Sequence, residues 1–278
     1  MTDPLAESFD IFDEHVRLSA PRRDIAEFRG REISALLSHD NRILECRQIG
    51  SLTRSTAIER FSDVDILAIF DPNEADCEKP KNLLDLIEQI VGTTSGYSIS
   101  RTSVNVSLRY HDWPSIDVLP GWPIADGEHQ SFYVPSGGGE KWQRYFPDRH
   151  DSIVRDGSER LGPKFKKIIR VVKWWNQVNG RLLESCEIEE LTDSLFESEI
   201  PEYPEAIYEI FTAIVNLLTE EERKYNDPDL SIPGPVSAET ARILSRRAYE
   251  LAIERSDYRD IGFLFRRLFG EQFPTVLS

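Results

Sequence analysis

Hydrophobic residues recur along the chain with two different periods, and the period changes near the middle. Residues 41–120 have the pattern of strands: Val64–Phe70 is almost entirely apolar, which is typical of a strand buried on both faces. Ser103–Tyr110 alternates strictly between apolar and polar side chains, which indicates a half-buried strand. Two shorter apolar-rich segments are also predicted to be strands, Ile43–Ile49 and Ile116–Leu119.

Apolar residues at helical spacing predict helices before, within and after this region. The spacing predicts one helix at Lys81–Val91 and another between Pro163 and Gly180. The first 40 residues are also predicted to be helical, with a break near Pro21. The remaining predicted helices are residues 186–199, 204–220, 237–254 and 257–269, and Ser136–Asp156 is predicted to be a connecting segment.

These elements predict an α+β protein. An N-terminal α/β lobe carries a small mixed sheet, and a C-terminal lobe is entirely helical. We place the first domain, with the N-terminal helices, at residues 1–155 and the helical domain at residues 156–278.

The composition is that of an ordinary globular protein, with 40% hydrophobic and 29% charged residues. The 33 Lys and Arg residues against 49 Asp and Glu residues give a net charge of −16, which argues against a protein that binds duplex nucleic acid broadly. The sequence has no apolar run of the ~20 residues that span a bilayer, and its start lacks a signal peptide pattern. The three cysteines cannot form a disulfide framework, so we expect a cytoplasmic protein without a membrane partner.

The segment between the first two predicted strands carries the most informative polar residues. Gly50 and Ser51 follow the first strand, and Asp63 and Asp65 begin the second. Glycine lets the backbone approach a phosphate closely, and a serine amide and hydroxyl can donate hydrogen bonds to phosphate oxygens. Residues i and i+2 of a strand share a face, so the two aspartates can bind the same divalent cations, and Mg²⁺ prefers such oxygen ligands.

A third acid strengthens this interpretation. Two aspartates two residues apart are by themselves more often a solvated strand end, and the chain has another such pair at Asp227–Asp229 in a loop. Asp117, however, lies between the apolar residues Ile116 and Val118, where a carboxylate is costly to bury unless cations are paired with it. Three acids on neighbouring strands can bind two metal ions, one on the leaving phosphates and one that activates an attacking hydroxyl.

These motifs resemble those of the DNA polymerase beta-like nucleotidyltransferases, and in particular the bacterial cGAS/DncV-like nucleotidyltransferases (CD-NTases, or SMODS family). The turn Gly50–Ile58 is similar to that family's G-S-x-x-R-x-T-x-I sequence. Further matches follow in the family's order: Trp142 … Pro147 … His150, Lys173–Asn176, Ser185–Glu189 with Ile188 replacing a leucine, Asp227–Pro228 and Phe269–Pro274. The matches cover most of the chain, from about residue 50 to residue 274.

The resemblance implies a bilobal polymerase-beta-like enzyme that binds nucleoside triphosphates in a cleft between its lobes. It implies that Gly50 and Ser51 hold the donor triphosphate, and Arg54 and Thr56 are further candidate ligands in the same turn. Such enzymes join nucleotides with release of pyrophosphate and close the product into a cyclic di- or trinucleotide second messenger. In bacteria, this product activates a downstream effector in antiphage defence, and a regulatory protein is a further expected partner.

The resemblance also assigns the acids and two residues of the helical lobe. Asp63, Asp65 and Asp117 would bind Mg²⁺, or Mn²⁺ in its place, and Asp117 would assist deprotonation of the acceptor's ribose hydroxyl. Lys173 and Ser185 would grip the β- and γ-phosphates of the bound triphosphate.

A basic, acid-free segment gives the helical lobe a second candidate function. No Asp or Glu occurs between Leu161 and Leu183, and the basic residues there are Lys164, Lys166, Lys167, Arg170, Lys173 and Arg181. In so acidic a chain this segment is either a phosphate clamp or a solvated basic face. Asn176 is a candidate for reading a base edge, although surface or capping roles are commoner for asparagine.

Other functions remain open on the sequence alone. The same fold can transfer a nucleotide to a different acceptor, such as RNA, an antibiotic or a protein. The acidic balance disfavours long RNA as the acceptor. A catalytically silent nucleotide sensor is a third possibility, and the presence of all three acids argues against it.

Overall fold

The computed structural model describes residues 3–124, 130–136, 138–225, 234–254 and 257–275. The described chain divides into two compact units. One unit comprises Leu18–Ser152, and the other joins the N-terminal segment through Arg17 to the chain from Ile153 onward. Asp227–Asp229, and with it the Asp227–Pro228 motif, lies outside the described residues.

A mixed sheet forms the centre of the unit Leu18–Ser152, which we call the sheet unit. Its strands are β1 (Ile43–Ile49), β2 (Val64–Phe70), β3 (Tyr97–Arg101), β4 (Val106–Tyr110), β5 (Ile116–Ile124), β6 (Ser131–Pro135) and β7 (Trp142–Tyr145). The main strand order is β1-β2-β5-β4-β3, and β6 pairs with both β5 and β7. Strands β2 and β5 are parallel, whereas β1 is antiparallel to β2 and β4 is antiparallel to β5, so the predicted mixed sheet is confirmed.

Strand β2 is buried on both faces, as its continuous apolar sequence predicts. Its alternate residues from Val64 to Phe70 pack in one core with the helices α2 (Ala20–Leu37) and α3 (Pro80–Val91). Leu67 and Ile69 point to the opposite face and pack against Phe132 and Val134 of β6. Full burial of each such side chain contributes about 1.5–3 kcal/mol, so the two cores fix the position of β2 in the sheet.

Several elements differ from the sequence prediction. Strand β4 begins at Val106 rather than Ser103, because the Thr102 hydroxyl oxygen accepts hydrogen bonds from the amides of Val104 (3.1 Å) and Asn105 (3.0 Å) and holds a turn there. Strands β3, β6 and β7 were not predicted. Part of the segment predicted as a connection, Ser136–Asp156, is regular secondary structure, because β7 and the start of a helix at Pro147 lie within it.

The second unit, which we call the helical unit, contains the remaining helices. They are α1 (Pro4–Val16), α5 (Lys164–Val178), α6 (Ser185–Leu195), α7 (Tyr203–Tyr225), α8 (Gly234–Ile253) and α9 (Tyr258–Phe269), and α4 (Pro147–Leu161) contributes its residues from Ile153. The break predicted near Pro21 falls before it, between α1 and α2, because proline is favoured in the first turn of a helix and Pro21 occupies that position in α2.

The core of the helical unit is rich in aromatic rings. Phe9 of α1 stacks on Tyr203 of α7 at a centroid distance of 4.1 Å and meets the edge of Phe265 of α9 at 4.9 Å. The ring of Phe273, which follows α9, lies 5.1 Å from the ring of Phe9 between centroids. The N-terminal helix is therefore part of the helical core.

Within the described residues, no helix is long and apolar enough to cross a membrane.

Candidate active site

One row of residues crosses the sheet and contains two of the predicted acids. Asp65 of β2 is the register partner of Asp117 of β5 in the parallel pair, and Asp117 is in turn the partner of Ser107 of β4. The row continues to Ile49 of β1 on one side and to Ser100 of β3 on the other. Partners in adjacent strands lie about 4.8 Å apart and project to the same face, so the fold makes Asp65 and Asp117 neighbours.

Asp63 lies two residues before Asp65, immediately before β2 begins. It is exposed, whereas Asp65 and Asp117 are half-buried. The backbone on either side of Asp63 is held by the loop before β5. The indole Nε1 of Trp113 donates to the carbonyl oxygen of Ser62 at 2.8 Å, and the amide of Val64 donates to the carbonyl oxygen of Ser115 at 3.0 Å.

The turn after β1 lies directly against one of these acids. Gly50 has a φ of +85°, and a Cβ atom at this position would lie 2.0 Å from Oδ2 of Asp65. Only glycine fits both the backbone conformation and the space. The turn is closed by hydrogen bonds from the Thr53 hydroxyl to the Gly50 carbonyl (2.8 Å) and from the Thr56 amide to the Ser51 carbonyl (3.0 Å). The structure thus brings Gly50, Asp65 and Asp117 together.

The two further candidates in the turn have protein partners. Thr56 is fully buried, and the Arg54 side chain is only 8% exposed. An Arg54 guanidinium nitrogen lies 3.5 Å from a carboxylate oxygen of Asp151 in α4, and Arg47 of β1 lies 3.6 Å from the same carboxylate. Both candidate residues therefore help to hold the turn within the sheet unit, and their assignment as nucleotide ligands stays a prediction.

Ser107 is a residue of this site that the sequence analysis missed. Its hydroxyl donates a hydrogen bond to Oδ1 of Asp117 at 2.5 Å, and the residue is only 6% exposed. The alternation in Ser103–Tyr110 places Ser107 on the polar face of its strand. The strand register that sets it opposite Asp117 cannot be read from that alternation.

The donor set at this edge of the sheet has the chemistry that Mg²⁺ prefers. Within the described residues, no group of three or more His, Cys, Asp and Glu side chains is arranged to hold a metal ion by itself. Mg²⁺ is usually bound by one or two carboxylates together with substrate phosphates rather than by a complete protein cage. The neighbouring carboxylates of Asp65 and Asp117, beside a glycine that leaves room at Asp65, fit this mode of binding.

The candidates in the helical unit are held by neighbouring elements of that unit. Lys173 is 2% exposed, and its ammonium nitrogen lies 2.6 Å from a carboxylate oxygen of Glu189. Asn176 is also buried, and its side-chain amide donates to the Leu183 carbonyl (2.7 Å) while its side-chain oxygen accepts from the Leu183 amide (3.1 Å). Ser185 is the first residue of α6 and is half-buried. Phosphate binding by Lys173 and Ser185, and base recognition by Asn176, stay predictions.

Other basic residues of α5 also contact groups of the helical unit. The Arg170 guanidinium binds the Asp13 carboxylate through two hydrogen bonds of 2.7 and 2.8 Å, and Lys167 donates to Asp10 at 2.5 Å. Lys164 donates to the Pro201 carbonyl at 3.0 Å. These contacts give the acid-free sequence of α5 a structural explanation, because the matching acids and carbonyls come from α1 and the segment before α7.

Comparison with known sequences identifies one matching family and one curated relative. Residues 4–156 match the family described as Second Messenger Oligonucleotide or Dinucleotide Synthetase (SMODS) domain. The cyclic AMP-AMP-AMP synthase of an Acinetobacter species is 28% identical over 141 residues, which are 47% of this chain and 38% of that protein. The match therefore spans well under half of the curated relative's length.

Comparison with solved structures finds similar folds over almost the whole chain. The structure of E. coli MS115-1 CdnC with ATP has a TM-score of 0.75 at 16% identity and covers 96% of this chain and 98% of that one. The Bradyrhizobium diazoefficiens CD-NTase CdnG in complex with GTP has a TM-score of 0.73 at 13% identity and covers 98% and 96%. The apo form of Vibrio cholerae DncV has a TM-score of 0.61 at 16% identity and covers 98% and 87%. The predicted fold class is confirmed.

Proposed function

Because the chain belongs to the family of second messenger oligonucleotide or dinucleotide synthetases, we propose that it joins nucleoside triphosphates into a cyclic di- or trinucleotide and releases pyrophosphate. The observation that carries this proposal is the register of β2 and β5, which makes Asp65 and Asp117 neighbours next to the Gly50 turn. Two carboxylates beside a glycine-containing turn suit phosphoryl-type transfer, in which positioning and charge neutralisation supply most of the rate enhancement.

The proposed reaction is an in-line substitution at the α-phosphorus of a nucleoside triphosphate. A ribose hydroxyl oxygen of the acceptor nucleotide forms a bond to this phosphorus, and the bond from the phosphorus to the pyrophosphate oxygen breaks. Asp117 accepts the hydroxyl proton, and pyrophosphate leaves with the negative charge. A further substitution of the same kind, with a hydroxyl of the growing product as the nucleophile, closes the ring.

Each residue of the site has a proposed part in this reaction. The backbone at Gly50 and the amide and hydroxyl of Ser51 hold the triphosphate of the donor. Asp63, Asp65 and Asp117 would hold Mg²⁺, and the bound ion would neutralise phosphate charge and lower the pKa of the attacking hydroxyl. The hydrogen bonds from Trp113 and Val64 fix the backbone on both sides of Asp63. The position of its Cα atom is therefore fixed, although its carboxylate is exposed.

The relatives support nucleoside triphosphates, and purine nucleotides first among them, as the substrates to test. Two of the structural neighbours were solved with ATP and with GTP, and the name of the Acinetobacter relative describes a product built from AMP. The E. coli neighbour was also solved as a CdnC:HORMA-deltaN complex, which supports the proposal that a regulatory protein partner exists for this chain too. We further propose that the product activates an effector in bacterial antiphage signalling.

The proposal is tested by mass spectrometry of the products formed from all four nucleoside triphosphates with Mg²⁺ or Mn²⁺ and no added acceptor. We expect pyrophosphate and a phosphatase-resistant product with the mass of a cyclic di- or trinucleotide. A product that forms only when RNA, an antibiotic or a protein is added would instead identify a different acceptor. Binding of triphosphates without pyrophosphate release under both metals, and with candidate regulators present, would contradict the synthase assignment.

A pair of variants links the product to the acids. Asp63→Ala/Asp65→Ala is expected to reduce pyrophosphate release at least about 100-fold, because positioned charge at the transferred phosphate is lost. The matched control is Asp24→Ala/Glu32→Ala, which removes two exposed carboxylates of α2 in the same unit and should retain full activity. Equal activity of both double variants, with unchanged melting temperatures, would show that Asp63 and Asp65 are not the metal ligands.

A further inference from the structure

Ser107 makes a contact that its strand position alone does not require. It lies in β4, is 6% exposed, and its hydroxyl donates a hydrogen bond of 2.5 Å to Oδ1 of Asp117. Hydrogen bonds from a hydroxyl to an ionised carboxylate are typically short and about twice as strong as those between neutral groups. A buried hydroxyl without such a partner would cost free energy, so this bond selects one orientation of both side chains.

The sheet register explains why the two groups meet. Ser107 and Asp117 are directly opposite each other in the antiparallel pair of β4 and β5, where Cβ atoms are about 5 Å apart. The short serine side chain spans this gap with a hydrogen bond. Asp117 is also the register partner of Asp65 on its other side, so it has the proposed metal ligand on one flank and a hydroxyl donor on the other.

We propose that Ser107 is a positioning residue that fixes the carboxylate of Asp117 for the transfer reaction. The hydroxyl engages Oδ1 and leaves Oδ2 to contact a bound cation or the acceptor hydroxyl. Groups that hydrogen-bond to a metal-binding carboxylate orient it in the same way, and their removal typically costs about 10- to 100-fold in metal affinity or activity. This inference rests on the proposed function, in which Asp117 is both metal ligand and proton acceptor.

The test uses variants at Ser107 and a matched control in the same row of the sheet. Ser107→Ala removes the hydroxyl, Ser107→Thr retains it on a residue that is favoured in strands, and Ser107→Cys replaces it with a weaker donor of similar size. Ser100→Ala makes the same chemical change at the exposed register partner of Ser107 in β3. The melting temperature of each variant is measured first.

Two properties are then measured for the complete chain. Electron paramagnetic resonance gives the affinity for Mn²⁺ in the presence of a non-hydrolysable ATP analogue, and pyrophosphate release gives kcat and KM for the triphosphate. For Ser107→Ala and Ser107→Cys we expect a loss of about 10-fold in Mn²⁺ affinity and about 10- to 100-fold in kcat, with KM within about threefold of wild type. Ser107→Thr and Ser100→Ala should stay close to wild type in both properties.

Each outcome either supports or overturns the inference. If Ser107→Ala keeps the Mn²⁺ affinity and kcat of the wild type, Ser107 does not position Asp117. If Ser107→Thr is as defective as Ser107→Ala at an unchanged melting temperature, the volume of the side chain matters rather than its hydroxyl, and the inference is wrong. Failure of the proposed function has a different signature, because the wild type itself would release no pyrophosphate while the Mn²⁺ titrations would still compare the variants.

Discussion

The ammonium group of Lys173 lies 2.6 Å from a carboxylate oxygen of Glu189, and the two side chains are only 3% and 2% exposed. Lys173 belongs to α5 and Glu189 to α6, so the pair joins two helices inside the helical unit. Transfer of two charges from water into a protein interior is costly, and their mutual attraction offsets that cost only while both partners are present. Removal of one partner is therefore expected to be much more harmful than removal of both.

We predict that Glu189→Gln destabilises the helical unit by about 3 kcal/mol, because it leaves the Lys173 charge buried opposite a neutral amide. The double variant Lys173→Met/Glu189→Leu should recover a large part of this loss, since it replaces the ion pair by apolar groups of similar volume. Urea denaturation followed by circular dichroism measures both effects. The control is Glu250→Gln, which breaks the exposed ion pairs with Arg246 and Arg247 and should change the free energy of unfolding by no more than about 1 kcal/mol.

Glu189→Gln and the single variant Lys173→Met together separate a structural role of Lys173 from phosphate binding. A structural role predicts a loss of stability in Glu189→Gln even without nucleotide. If Glu189→Gln is as stable as the wild type and Lys173→Met only raises KM for the triphosphate, then Lys173 is a phosphate ligand and the buried pair is not its main function.

The basic segment of α5 shows what sequence patterns leave undetermined. The absence of acids between Leu161 and Leu183 is visible in the sequence and suggests a surface that binds an external anion. In the fold, however, Lys167 and Arg170 pair with Asp10 and Asp13, each 157 residues away along the chain. Charge partners at such separations depend on helix packing, and no local pattern encodes them.

The first two strands show the opposite case, because their sequence pattern was enough to predict them. The boundaries of β1 and β2 follow from their apolar residues, because both strands are anchored in the cores of the sheet unit. Strand β3 has no fully buried residue, and β7 is short and half-exposed, so neither has a strong hydrophobic pattern. The acids of the candidate site could be chosen from motif and alternation, but the pairing of Asp65 with Asp117 required the register.

We predict that the Cys77 thiol reacts slowly with iodoacetamide at neutral pH. Burial, with a further contribution from the nearby Asp76 and Asp71 carboxylates, raises the pKa of this thiol to about 11. The thiolate is the reactive form, so at pH 8 its population is about 100-fold below that of an ordinary cysteine. Peptide mass spectrometry should show a rate of Cys77 labelling that rises with pH, with its midpoint near pH 11 in the folded protein. The urea-unfolded chain is the control and should have its midpoint near the ordinary cysteine pKa of about 8.5, and the same midpoint in both states would contradict the prediction.

We predict that Phe9→Ala destabilises the helical unit by about 3–5 kcal/mol, the usual cost of truncating a fully buried phenylalanine. Phe9 is completely buried among aromatic rings of α7, α9 and the segment after α9. The control is Ile11→Ala on the same helix, where the side chain is 42% exposed and the loss should be below about 1 kcal/mol. Hydrogen exchange should show faster exchange in α7 and α9 for Phe9→Ala. Faster exchange in the sheet unit instead would mean that α1 stabilises a different part of the chain.

We predict that Gly50→Ala abolishes activity through Asp65 rather than through loss of folding. The new Cβ would lie 2.0 Å from Oδ2 of Asp65, so the carboxylate or the turn must move, and misplacement of a catalytic group by about 1 Å can cost 100-fold in rate. Gly96→Ala is a matched control, because Gly96 also has a positive φ (+113°) but has no atom within 4 Å of the added Cβ.

Both alanine variants share the backbone strain of a left-handed residue, which costs about 1–2 kcal/mol and lowers the melting temperature of each. Their difference in pyrophosphate release therefore reports what the added Cβ does at the Gly50 turn, where it meets Asp65, rather than the effect of backbone strain. We expect Gly96→Ala to retain activity within about threefold and Gly50→Ala to lose at least about 100-fold. Equal activities at equal melting temperatures would show that the close approach of Gly50 to Asp65 has no part in the reaction.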